Sequence, residues 1–106
     1  MRKSLFVLCL LLAVAPLSAG EDPTKVDSKH YKVVFENDDV RVVRITYGPG
    51  EKSVMHYHPE GVAIFLTDMK VQFTMPDGSS QVVEAKAGDT VWSEAGDHNP
   101  KNLADK

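Results

Sequence analysis

The 106-residue chain contains one cysteine, Cys9, and that residue lies in an apolar run near the N-terminus. The run itself is short. Leu5 to Ala15 spans eleven residues, whereas a bilayer crossing takes about twenty. Arg2 and Lys3 precede it and the small-residue tail Pro16-Leu17-Ser18-Ala19-Gly20 follows it. This order is that of a secretory signal peptide over residues 1–20, cut after Gly20 or, as the second choice, after Ala19. It predicts an exported protein, periplasmic or extracellular. Beyond residue 20 there is no thiol, which excludes disulfides, thiolate nucleophiles and thiolate metal ligands from the mature domain. A small exported domain of this kind must be held together by a core, a metal or oligomerisation.

Basic clusters are missing as well. After residue 20, ten basic residues face fifteen acidic ones, a net charge of −5. Nucleic acid and anionic membrane surfaces are therefore disfavoured partners. Leucine is nearly absent from the same stretch, with only Leu66 and Leu103 against twelve valines. Valine is stiff at its first torsion and suits a pleated strand, while leucine suits a helix. No G-x-S-x-G, phosphate-binding loop or dinucleotide fingerprint occurs.

Short valine-rich runs between regular turn signals are what the chain does contain. Strands are expected at 30–36, 40–47, 53–58, 62–66, 70–75, 80–85 and 90–93. Turns are expected at 36–39, Gly48-Pro49-Gly50, Pro59-Glu60-Gly61, Pro76-Asp77-Gly78 and Ala87-Gly88-Asp89. The continuous run VAIFL (62–66) reads as buried on both faces. Residues 21–29 read as a loose polar arm, and residues 21–39 as that arm with the first strand, ahead of a main domain over 40–106. The pattern is all-β, a sandwich or barrel.

The chemistry-bearing stretch is HYHPEG, residues 56–61. Positions i and i+2 of a strand share a face, so His56 and His58 point the same way. Neutral imidazoles so placed can bind one divalent ion or can be a plain surface pair. Gly50 precedes them in the spacing G-x5-H-x-H. Downstream, GDTVWSEAGDHNPKN brings His98 and, four residues later, Asn102. These two motifs, over residues 40–102, resemble those of the cupin superfamily, whose members are small antiparallel barrels of the jelly-roll type (double-stranded β-helix). The resemblance implies that His56, His58 and His98 converge on a divalent metal, Fe, Mn, Zn or Ni, inside the barrel. Four departures stand out. The first motif's closing glycine is missing, with Asp68 and Met69 in that neighbourhood. Val62 and Ala63 occupy the place of the family's glutamate ligand. Glu94 stands in place of a proline. The second motif is also one residue short before His98, which puts the facing of that histidine in question. Glu60 reads as an exposed turn carboxylate, His30 as a surface residue, and Trp92 and Phe73 as core or pocket wall.

A three-histidine set is neutral and leaves coordination positions open to a small molecule. The resemblance thus implies a metal-binding exported cupin, with an iron-dependent, dioxygenase-like activity on a small molecule as one reading. A non-catalytic small-molecule or metal-binding module, and a structural cupin with a degenerate site, are the alternatives. The chain stops eight residues after His98, where such barrels usually continue with a further strand. It is expected to be a fragment, or to pair its open edge in a homodimer.

Overall fold

The computed structural model describes residues 20–105. The expected signal peptide over residues 1–20, Gly20 apart, lies outside the described residues. Among the described residues, eight strands follow one short helix. Helix α1 is Pro23–Val26, and the strands are β1 Tyr31–Glu36, β2 Arg41–Ile45, β3 His56–His58, β4 Gly61–Ile64, β5 Met69–Thr74, β6 Ser80–Ala85, β7 Thr90–Ser93 and β8 Gly96–Asn102. Every strand pairing is antiparallel. The central sheet runs β3-β8-β5-β6, flanked by the two-stranded pairs β1-β2 and β4-β7. The all-β expectation holds.

Turn chemistry sets the pairings. Between β1 and β2, the Asn37 side-chain oxygen accepts from the backbone N–H of both Asp39 and Val40, at 2.8 Å each. Asp77 does the same for Ser79 between β5 and β6. There Gly78 supplies a φ of +90°, and Gly88 supplies +92° between β6 and β7. A Cβ at Gly88 would meet no atom within 4 Å, so its substitution is opposed only by backbone conformation. Gly88→Ala is accordingly expected to lower unfolding stability by about 1–2 kcal/mol, the usual cost of a left-handed non-glycine residue, as read by urea denaturation. No measurable change would refute that.

The segment 21–29 is not loose. Asp22 caps α1 by accepting from the Thr24 N–H at 2.9 Å, with Pro23 at the first helical position. Arg41 reaches back to Asp22 at 3.0 Å, and the Tyr57 N–H donates to the Glu21 carbonyl at 2.8 Å. The arm therefore lies along β3 and is tied to it through backbone. A polar composition concealed this, because the anchors are caps and main-chain bonds rather than apolar contacts.

Two further expectations are corrected. The run 62–66 is not buried on both faces. Val62 and Ile64 are each 62% exposed, and Ala63 between them is half-buried. β4 pairs only with β7, so one face of this run lies against the protein and the other is open. Trp92, directly opposite Val62, shares that open face at 57% exposure and is not core. The second correction is β8, a strand with no apolar alternation and with Pro100 inside it. Its residues 96–98 pair with β3 and its residues 99–102 with β5. The Pro100 carbonyl accepts from the Ser53 N–H at 3.0 Å.

Candidate metal centre

Strand β8 carries the second motif into register with the first. His98 lies directly opposite His56, and Gly96 opposite His58. Residues directly opposite in an antiparallel pair present their side chains on the same face. The shortened spacing before His98 is thus absorbed in the β7–β8 turn, and the histidine faces its two counterparts. The ring centroids of His56 and His98 are 4.9 Å apart, and those of His58 and His98 are 4.3 Å apart. Phe73, on β5, stacks on the other side of His98 at 4.9 Å. It is pocket wall, one of the two places expected for it.

All three imidazoles lie in one cluster, and burial shapes the protonation of His56 and His98. His56 is 1% exposed. Its pKa is lowered by burial, against an opposing hydrogen bond to the Val54 backbone, with the neighbouring His58 adding a smaller lowering. His98 is pushed down to about 3 by burial and then by His58 and His56. The sign of the pH dependence follows. The unfolded chain binds protons at His56 and His98 near pH 6.5, whereas in the folded chain both titrate lower, His98 at about 3. Stability of the metal-free protein is therefore complete above about pH 7 and falls as the pH drops from about 6.5 toward 3. Asp22, Asp27, Glu51 and Asp77, all held below the usual carboxylate range, add a loss of their own only under about pH 4. Thermal unfolding across this range should show the decline beginning near pH 6.5, and His98→Gln should flatten its upper part. A profile unchanged between pH 7 and pH 4.5 would count against the histidine contribution.

The donor chemistry suits a metal. His56 Nδ1 lies 2.9 Å from the Val54 carbonyl oxygen, which only accepts, so Nδ1 carries the proton and Nε2 holds a lone pair. That Nε2 is buried and has no hydrogen-bond partner among the described residues, an uncommon state for a polar atom. His58 repeats the pattern, with Nδ1 donating to the Pro59 carbonyl at 3.2 Å. A backbone bond at one ring nitrogen is the usual way a metal-ligating histidine has its tautomer set. The three rings are clustered but not closed on a common point. Among the described residues no three His, Cys, Asp or Glu side chains stand in a ligating arrangement. Val62 and Ala63, which pair with Trp92 and Val91, supply no carboxylate here, and Glu60 is exposed.

A cavity of about 210 Å³ opens beside the cluster, lined by His58, Phe73, Met75, Gln81, Ser93, Glu94 and His98. Glu94 is the carboxylate among these lining residues. Gln72 points elsewhere, toward the Ser80 hydroxyl at 3.4 Å.

Asn102 is 4% exposed. Its amide donates to the carbonyls of Tyr47 and Gly48, at 3.2 and 3.1 Å, and its oxygen accepts from the Ala104 N–H at 2.8 Å. It clamps the end of β8 onto the Gly48-Pro49-Gly50 turn, away from the histidines. His30 is the residue that sequence reasoning misplaced. It is not on the surface but 6% exposed, with Nδ1 at 2.9 Å from Asp27 and Nε2 at 2.9 Å from Glu51. Its ring stacks on Tyr47 at 4.3 Å, and the Tyr47 hydroxyl meets that of Tyr31 at 2.6 Å. Tyr31 in turn packs edge-on against His56 at 4.9 Å. Burial holds both tyrosines above the usual phenol range, so they are neutral hydroxyls. A single histidine ahead of the first strand carries no pattern; only the fold brings its partners to it.

The architecture is similar to that of a solved cupin domain from Bordetella pertussis Tohama I. That similarity has a TM-score of 0.66 and 24% identity, and it covers 72% of this chain and 80% of that one. No family model and no curated protein matches the sequence. The chain has a cupin fold.

Proposed function

We propose that this cupin-fold chain is an exported divalent-metal-binding protein whose ligands are His56, His58 and His98. The observation that carries the reading is the buried, partnerless Nε2 of His56, in a ring that clusters with those of His98 and His58. A buried ring nitrogen left unpaired costs on the order of 1–3 kcal/mol, a penalty that a bound cation removes. Imidazole donors suit Fe, Mn, Zn or Ni. When bound, such an ion supplies Lewis-acid character and open coordination positions.

The chain's own residues shape what could enter beside it. The cavity is smaller than a drug-sized site, so a ligand of few heavy atoms fits. Phe73 and Met75 give it an apolar side, and Gln81, Ser93 and Glu94 a polar one. The neutral ligand set leaves the ion's charge uncompensated, which favours an anionic or enolisable ligand. A dioxygenase-like reaction is compatible with that chemistry, but no second acid or base beyond Glu94 lines the wall, so binding is the function favoured here. Calorimetric titration of metal-stripped protein with Co²⁺ or Zn²⁺ tests the reading. One site per chain, lost in His58→Ala, is the expected result. Equal heats in wild type and His58→Ala would reject it.

A further inference from the structure

We infer that Asp27 and Ser53 act as positioning residues for His56, fixing from the N-terminal arm which of its ring nitrogens is free to bind. This rests on the reading of His56 as a metal ligand. The hydrogen bonds run in one direction. Ser53 is buried, and its hydroxyl lies 2.6 Å from Asp27 Oδ2. An ionised carboxylate only accepts, so the single hydroxyl proton of Ser53 goes to Asp27. Ser53 Oγ is then left as an acceptor, and it faces His56 Nδ1 at 3.2 Å. The His56 Nδ1–H is thus shared between Ser53 Oγ and the Val54 carbonyl. Both acceptors demand the same tautomer, the one that leaves Nε2 unprotonated.

Asp27 is itself held. His30 Nδ1 lies 2.9 Å from both of its oxygens, and Glu51 grips the far nitrogen of that ring. Glu51 is fixed in its turn by the Gly48 N–H at 2.8 Å and by Lys29 at 3.3 Å. The chain of contacts from Glu51 through His30, Asp27 and Ser53 therefore ends on the one histidine whose Nε2 is buried without a partner. It also gives the arm a role. Asp27 caps the C-terminal end of α1 and accepts the backbone N–H of both His30 and Tyr31 through its carbonyl, at 3.1 Å each. Its side chain is consequently placed by main-chain geometry rather than by a free loop.

Changing the polarity of this chain should change the tautomer. In Asp27→Asn an amide N–H₂ can face Ser53, whose hydroxyl then turns its proton toward His56 Nδ1 and favours the Nε2–H form. Ser53→Ala removes the link without reversing it. The readout is the ¹⁵N-resolved imidazole spectrum of metal-free protein, with the amide spectrum as a check on folding. Wild type is expected to show His56 as the Nδ1–H form. Asp27→Asn should move a substantial share to Nε2–H, and Ser53→Ala should give a smaller share. Zinc affinity should fall about 10- to 100-fold in Asp27→Asn, the usual effect of losing a partner behind a ligating histidine. An unchanged His56 tautomer in both variants overturns the inference, whatever happens to affinity. Should Asp27→Asn fail to fold, Ser53→Ala alone decides it by the same spectrum. Wild type that binds no zinc would defeat the metal-site reading, while the tautomer measurement, made without metal, still decides this one.

Discussion

His98→Ala should weaken divalent-metal binding by well over the roughly 100-fold that follows from losing an outer-shell partner, while leaving the metal-free fold in place. His98 stands directly across from His56 and within 4.3 Å, ring to ring, of His58, so its removal takes away the imidazole that joins the other two. What remains is His56 and His58 on one short strand, with no carboxylate at Val62 or Ala63 to compensate. The metal-free protein should lose little, about 1 kcal/mol or less. A half-buried imidazole kept neutral against its tendency to protonate contributes no ion pair, and its loss only uncovers part of Phe73. Affinity by competition with a chromogenic chelator, together with urea unfolding of the stripped protein, separates the two effects. Retained affinity in His98→Ala would remove His98 from the ligand set.

Asn102→Ala should instead destabilise the fold, by about 2–4 kcal/mol. Three hydrogen bonds end on this buried side chain, and two of them satisfy the carbonyls of Tyr47 and Gly48. Alanine leaves those carbonyls and the Ala104 N–H without their protein partner. Asn102→Asp should cost at least as much, because a carboxylate oxygen would then oppose a carbonyl. The backbone of the same residue also pairs with Gly50 and Glu51, so the damage spreads to the turn that leads into β3. The midpoint of urea unfolding reads the effect. A loss under about 1 kcal/mol would show that the clamp is not needed.

The contrast between these two residues shows what was legible in sequence. Turn chemistry and valine content located seven strands, because Gly78 and Gly88 adopt the left-handed backbone that glycine favours and the runs between turns are short. The spacing of His56 and His58 announced a shared face, since strand periodicity is local. Asn102 was visible as a motif position, but its clamping role depends on the Tyr47 and Gly48 carbonyls, over fifty positions away. β8 was not legible as a strand. GDHNPKN has no apolar alternation, and the segment is held in extended form by neighbours on both sides. VAIFL misled for the opposite reason: five apolar residues in a row imply two covered faces only if something packs on each, and β4 has β7 beside it but an open face beyond. The Asp27–His30–Glu51 cluster had no sequence signal, because Glu51 comes from a separate segment and each part alone is an ordinary polar residue.

The central claim is that three histidines of this barrel share one metal ion, and X-ray absorption spectroscopy of the zinc-loaded protein tests it most directly. The account predicts three imidazole nitrogens in the first coordination shell at about 2.0–2.1 Å, falling to two in His98→Ala. A shell with one imidazole or none in the wild type, filled by oxygen donors, would contradict it.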